Sequence, residues 1–125
     1  MNEPDTPVLD TAVLEELAAS VGGDRGFVVE LIRTFLDDAE GQLASISAAV
    51  SAEDPVMLVR PAHTLKSSSA TLGAMRLAAR ARALETAGRA ERIDDGAQVD
   101  AEQLEQDWQE ARTALQEWST RSEAS

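Results

Sequence analysis

Residues 24–50 read DRGFVVELIRTFLDDAEGQLASISAAV and predict one long amphipathic helix. The apolar side chains recur at intervals of three and four residues, which is the repeat of a helix that buries one face. Asp24 stands directly before this run and after two glycines, so it is placed to cap the first turn. We therefore expect a helical domain in which this segment is a central element.

Two more helices are marked by aspartates at their starts. Asp10 is placed to cap a short first helix that ends near Ser20, ahead of the two glycines. Asp54 followed by Pro55 has the pattern of an N-cap and a first helical residue, where proline loses only an N–H that has no partner. A third helix is therefore predicted to begin at Pro55.

The third helix is predicted to continue to Gly73, where a tight turn leads into a fourth helix that fades near Gly88. Pro61 removes one backbone donor, so we expect a modest kink just before His63, with a helix end there as the alternative. A narrow stripe of small and large side chains faces the core of this helix: Leu58, Ala62, Leu65, Ser69 and Leu72.

The last helix is predicted after a loop within residues 89–98. Asp100 is taken as its N-cap, with Val99 and Leu104 as a hydrophobic staple. Trp108 and Trp118 share one stripe with aliphatic side chains at strict four-three spacing, so both indoles are expected in the core.

Composition supports the same fold class. Ala, Leu, Glu, Arg and Gln are plentiful while Val, Ile, Phe and Tyr are sparse, as in packed helices. At 125 residues, one domain is expected. We predict an all-α protein, an antiparallel four-helix bundle with a short additional N-terminal helix, spanning residues 8–118 between a flexible tail at 1–7 and a polar tail at 119–125.

Charge and cysteine content exclude several classes of function. Eleven basic and 23 acidic residues give a net charge of −12, which disfavours binding to nucleic acid or to anionic membranes. The chain has no cysteine and one histidine, so we expect no disulfide and no metal site. No signal peptide or membrane span is apparent, so a cytoplasmic monomer is expected.

The charge is unevenly distributed along the chain. Residues 55–92 hold seven basic and two acidic side chains, a net charge of +5, which leaves −17 on the remainder. Two interpretations stay open at this point: a solvated helix face, or a patch that meets an anionic partner.

The only histidine, His63, is predicted to face outward from the third helix. At about 100° per residue its side chain points about 140° away from the buried stripe, and Ser67 about 180° away. Lys66 lies on the flank of this surface, and Ala70 lies two turns from His63 almost in line with it. Since no bulky side chain covers the imidazole, a large partner has room to approach.

From these residues alone, His63 is an ordinary surface histidine, a metal ligand, one half of a His63–Ser67 hydrolase pair, or a phosphoryl acceptor. A metal site lacks a second histidine. A hydrolase on one convex helix lacks an oxyanion hole and a buried orienting carboxylate. The first and last interpretations are the two that the residues leave in competition.

The run AHTLKSSS at residues 62–69, followed by LGA at 72–74 and by Leu84-Glu85, resembles the signature of the histidine-containing phosphotransfer (HPt) domain family. The resemblance spans roughly residues 9–118. It implies a four-helix bundle, phosphorylation of His63 at Nε2, and Lys66 beside the phosphoryl group. It also implies docking to response-regulator receiver domains, which bring their own Mg²⁺, or to a sensor histidine kinase.

On this resemblance we expect a phosphorelay carrier without a cofactor of its own, which is not an independent catalyst. Arg60, Ser67 and Ala70 are the expected partner-contact residues. Ser67 replaces the glycine usual in the family, and its hydroxyl is placed to bond the His63 carbonyl or to reach the ring. Two other functions stay open: a phosphorylation-independent helical adaptor and a phosphate sink for a receiver.

Overall fold

The computed structural model of the chain describes residues 6–124, which fold into five helices with no strand among them. The all-α prediction is thus confirmed. The helices are α1 (Thr11–Ser20), α2 (Arg25–Ser51), α3 (Pro55–Thr71), α4 (Met75–Arg89) and α5 (Asp95–Ala124).

Four of the helices form the bundle. Within the bundle, α3 packs against α2 and α4, and α5 also packs against α2 and α4. The short helix α1 packs on α2 outside the four-helix bundle. Short connections make successive helices antiparallel. Each bundle helix contributes fully buried aliphatic side chains, among them Ile46, Leu58, Leu84 and Leu115. Consequently α3, which carries His63, lies diagonally opposite α5.

The first three helix starts are as predicted. The side chain of Asp10 accepts a hydrogen bond from the amide of Ala12 at 3.1 Å. Asp24 and Asp54 do the same for the amides three residues on, at 3.0 and 3.1 Å. Each cap satisfies a backbone donor that the first helical turn leaves without a partner.

The predicted core assignments on α3 and α5 are also confirmed. The five stripe residues of α3 are buried, and the helix continues through Pro61 to Thr71, so the helix end considered at this proline is wrong. Trp108 and Trp118 are each 3% exposed. The Trp108 ring meets Phe35 edge-on with centroids 6.0 Å apart, a favoured arrangement of aromatic pairs.

The predicted start of α5 is wrong. The helix begins at Asp95, and Asp94 caps it by accepting from the amide of Ala97 at 3.0 Å. Asp100 lies inside the helix, where its carboxylate binds Arg80 of α4 at 2.8 Å. Val99 is 52% exposed and is not in the core as a staple residue would be. An aspartate that resembles a cap therefore serves as an interhelical ion-pair partner.

At both ends of the chain, described residues outside the predicted domain limits of 8–118 take part in the fold. At the C-terminus α5 runs on to Ala124, past the predicted domain end at residue 118. At the N-terminus the carbonyls of Thr6 and Pro7 accept hydrogen bonds from Arg76 of α4. Residues 1–5 of the predicted flexible tail lie outside the described residues. The division into a domain and two tails stays a prediction.

Gly73 allows the N-terminal segment to cross the α3–α4 turn. Its φ is 80°, a region that favours glycine, and its carbonyl accepts from the amide of Asp10 at 2.8 Å. A Cβ at this position would lie 2.6 Å from the carbonyl oxygen of Asp10. The turn that follows the histidine helix thus depends on a residue without a side chain.

Candidate functional site

His63 lies on the outward face of α3, as its helical phase predicts. Its side chain is 52% exposed, and Ser67 and Ala70, one and two turns on, are exposed as well. The side chain of Lys66 is 32% exposed and turns toward α4. The imidazole is therefore open to a large partner, while one side of it borders a neighbouring helix.

That neighbouring helix supplies a carboxylate. Glu85 of α4 is only 7% exposed at its side chain, and its Oε2 lies 2.9 Å from Nδ1 of His63. Its Oε1 lies 2.7 Å from Nζ of Lys66. The guanidinium of Arg89, one turn further along α4, donates twice to Oε2 at 2.8 and 3.0 Å. We call these four residues the Glu85 cluster.

The cluster keeps Glu85 ionised. Burial by itself raises the pKa of this carboxyl, but the hydrogen bonds from Lys66, Arg89 and His63 outweigh burial and hold the pKa at about 2, below the usual 4.5. Near neutral pH the carboxylate is therefore a pure hydrogen-bond acceptor with a full negative charge.

An ionised acceptor determines which ring nitrogen of His63 carries the proton. Because Glu85 can only accept, the 2.9 Å contact places the hydrogen on Nδ1. In the neutral imidazole the lone pair is then on Nε2, which makes no hydrogen bond within residues 6–124. The contact with α4 thus leaves the free lone pair of His63 on Nε2.

Sequence reasoning placed His63 and Lys66 together correctly but gave Glu85 and Arg89 no role. The available signal was that Glu85 is one of only two acidic residues in the basic segment 55–92, and that it forms part of the Leu84-Glu85 motif. Arg60 is exposed one turn before His63 and makes no ion pair with any described residue. Its predicted contact with a partner stays a prediction.

The basic side chains of residues 55–92 do not all lie near His63. Arg80 binds Asp107 and Asp100 of α5 at 2.7 and 2.8 Å, and Arg76 reaches Glu110 at 3.4 Å. These half-buried arginines join α4 to α5. Lys66 and Arg89 bind the same Glu85 carboxylate as His63, and Arg60 lies one turn before His63 on α3, so only part of the basic segment lies beside the imidazole.

Ser67 does not fulfil either hydrogen bond considered for it. Its carbonyl accepts from the hydroxyl of Thr71 at 2.9 Å, but its own hydroxyl bonds neither the carbonyl nor the ring of His63.

Within the described residues there is no group of three or more side chains suited to hold a metal ion. None of the helices described is a candidate to span a membrane.

A family model described as Hpt domain matches residues 30–118, a region that holds the whole Glu85 cluster. The chain belongs to this family. It is 31% identical over 100 residues to the phosphorelay protein LuxU of Vibrio harveyi, which covers 80% of this chain and 86% of LuxU. The family resemblance read from the residues around His63 is confirmed.

A solved structure shows the same fold. The crystal structure of histidine-containing phosphotransfer protein B (HptB) from Pseudomonas aeruginosa PAO1 matches with a TM-score of 0.81 at 30% identity, over 94% of this chain and 98% of HptB. This Hpt chain is thus a histidine phosphotransfer module of a phosphorelay.

Proposed function

We propose that His63 is the phosphoryl acceptor and that it carries the group between aspartates of receiver domains, or from a histidine kinase to a receiver. The observation that carries this proposal is the 2.9 Å contact between Nδ1 and the buried, ionised Glu85. It leaves Nε2 as an exposed nucleophile on the only histidine of the chain.

The proposed transfer needs no cofactor on this chain, because the bond that forms replaces the bond that breaks. The lone pair of Nε2 attacks the phosphorus of an aspartyl phosphate, the N–P bond forms, and the bond from phosphorus to the aspartate oxygen breaks. The aspartate leaves as a carboxylate. His63 keeps its proton on Nδ1, so its ring becomes cationic, and this charge develops 2.9 Å from Glu85. A buried carboxylate held in place before the reaction stabilises such a charge.

Lys66 is proposed to stabilise the transferring group. Phosphoryl transfer spreads negative charge over the equatorial oxygens, so positioning and cations supply most of the catalysis. Lys66 lies three residues after His63, with its Nζ held at 2.7 Å from Glu85 Oε1. The Mg²⁺ that this chemistry uses is expected on the receiver. On this account the chain is a covalent carrier and not an independent catalyst.

The surface around His63 suits docking of a folded domain. Ser67 and Ala70 are small and exposed, which keeps the line of approach to Nε2 open. Arg60 is the proposed cationic contact one turn before the histidine. We place this activity in the cytoplasm and in a monomer, consistent with a carrier that moves between partners.

Incubation with phosphorylated receiver domains tests the proposal. The wild-type chain should acquire a label that is labile to acid and stable to alkali, as expected of a phosphoramidate bond on histidine. His63→Gln should acquire none while keeping its helical content, because the side chain is 52% exposed. An equal label on His63→Gln would refute the assignment.

A further inference from the structure

The hydroxyl of Ser67 is a hydrogen-bond donor without a partner, one turn from His63. Ser67 is exposed, and its hydroxyl makes no hydrogen bond to any residue between 6 and 124. A serine inside a helix commonly bonds the carbonyl four residues back, which here is that of His63. Thr71 makes such a bond to the carbonyl of Ser67 at 2.9 Å, whereas Ser67 makes none to His63. The donor of Ser67 therefore stays available on the surface of α3.

The contact with Glu85 turns Nε2 of His63 away from α4. Nδ1 faces Glu85 at 2.9 Å, and Nε2 lies on the other side of the five-membered ring. Lys66 lies about 60° around α3 from His63 on the side of α4, where its Nζ also binds Glu85. Ser67 lies about 40° from His63 in the opposite direction. The edge of the imidazole that carries Nε2 is therefore turned toward the side of the helix that holds Ser67.

Ser67 lies within reach of a group bound to Nε2. Side chains four residues apart on a helix have their Cβ atoms about 5 to 6 Å apart. Helical side chains lean toward the N-terminus, so the side chain of Ser67 covers the turn on which His63 lies. A phosphoryl group adds three acceptor oxygens and about −1.5 to −2 charges. One of these oxygens can then accept a hydrogen bond from the Ser67 hydroxyl.

The cationic donors on the α4 side of the ring already have a partner. Nζ of Lys66 lies 2.7 Å from Glu85, and Arg89 donates twice to the same carboxylate. The Ser67 hydroxyl has no such bond to give up when a phosphoryl group arrives. A hydrogen bond to a charged acceptor is also stronger than one between neutral groups. Ser67 is therefore suited to bind the phosphoryl group from the side opposite Glu85.

We propose that Ser67 donates a hydrogen bond to the phosphoryl group on Nε2 of His63 and so makes the phosphorylated chain longer-lived. The proposal rests on the proposed function of His63. Hydrolysis breaks the N–P bond, forms a bond from phosphorus to a water oxygen, and releases dihydrogen phosphate and neutral His63 with its proton on Nδ1. As phosphorus moves from Nε2 toward the water, it leaves the reach of a hydroxyl fixed on α3. The hydrogen bond therefore stabilises the phosphorylated state more than the transition state of hydrolysis.

The lifetime of the label tests this role. Ser67→Ala removes the donor, and Ser68→Ala makes the same change at a half-buried position that faces α2. Each chain is labelled with phosphoramidate, a donor that needs no protein interface, and is then separated from it. Ser67→Ala should lose its label about threefold or more faster than the wild type at pH 7, the effect expected of one hydrogen bond to a charged group. Ser68→Ala should stay within about 1.5-fold of the wild type.

Equilibrium with a receiver domain gives a second measure. At concentrations too low for a complex, the distribution of the label depends on the stability of each phosphorylated protein and not on docking. Relative to the receiver, Ser67→Ala should hold about threefold less label than the wild type. In ³¹P NMR the phosphoryl group of the wild type should take up its proton at a lower pH than that of Ser67→Ala, because a donor favours the more highly charged form.

Equal decay and equal distribution of the label in Ser67→Ala and the wild type would overturn the inference and leave the proposed function standing. Slower decay in Ser67→Ala would also overturn it, because the hydroxyl would then direct the attacking water. An equal change in Ser68→Ala would overturn it by assigning the effect to the helix and not to the donor. Failure of every receiver and of phosphoramidate to label His63 would instead remove the proposed function.

Discussion

Substitution of Glu85 by glutamine removes a charge while nearly preserving the shape of the side chain. In the wild type this carboxylate is 7% exposed and binds three cationic or polar partners. The amide of glutamine can still accept from Nδ1 of His63, but it leaves Lys66 and Arg89 without their counterion. The substitution therefore tests how much the charge of Glu85 stabilises the fold.

The size of the effect follows from the proton affinity of the carboxyl. The pKa of Glu85 falls from an ordinary 4.5 to about 2 in the folded chain. At about 1.36 kcal/mol for each tenfold change in affinity, this difference corresponds to roughly 3 kcal/mol. Hydration of the freed Arg89, which is 60% exposed, offsets part of it, so we expect a loss of about 2 kcal/mol near pH 7.

The direction of the pKa shift of Glu85 determines how the stability of the fold changes with pH. A carboxyl whose pKa is lowered by folding stabilises the native state fully above pH 4.5, and this contribution is lost as pH falls toward 2. The wild type should thus lose stability over this range, while Glu85→Gln has no such contribution to lose. The gap between the two chains should close in acid.

Urea unfolding followed by circular dichroism at pH 7 and at about pH 3 measures this gap. The matched control is Glu102→Gln, on an exposed position of α5, which should change the free energy of unfolding by no more than about 0.5 kcal/mol at either pH. A gap for Glu85→Gln that is the same at both pH values would refute the ion-pair account of the cluster.

Three further substitutions test other parts of the structure. Lys66→Gln should slow labelling of His63 by a phosphorylated receiver about tenfold or more, through loss of one cation at the transferring group, and unchanged kinetics would contradict that role. Ser67→Gly should leave labelling intact, because the Ser67 hydroxyl does not bond His63, and complete loss of the label would show otherwise. Gly73→Ala should lower the free energy of unfolding by about 2 kcal/mol or more in urea, since φ is 80° and a Cβ would lie 2.6 Å from a backbone carbonyl. Gly41→Ala, with open space at its Cβ, should raise it by about 1 kcal/mol, and equal effects at the two glycines would count against the close approach at Gly73.

The features predicted correctly from sequence are those governed by neighbours in the chain. The caps at Asp10, Asp24 and Asp54 act within three residues, and the outward phase of His63 depends only on the helical repeat. The burial of Trp108 follows from its position on the apolar stripe of α5. Each of these patterns is local, so a single sequence contains the information that is needed.

The features that were missed depend on contacts across the bundle. Glu85 lies 22 residues from His63, and only the packing of α4 on α3 brings its carboxylate to Nδ1. The prediction of where α5 begins was wrong for a similar reason. Asp94 caps the helix, whereas Asp100 binds Arg80 of another helix, a contact that the local sequence does not reveal.

The position of the phosphoryl group on the imidazole tests the central claim most directly. The chain has one histidine, so ¹⁵N-labelled histidine gives the signals of a single ring. After labelling by a phosphorylated receiver, nitrogen–phosphorus coupling in the NMR spectrum should identify Nε2 as the bonded atom, with the proton retained on Nδ1 opposite Glu85. Phosphorus on Nδ1, or on any residue other than His63, would contradict the account.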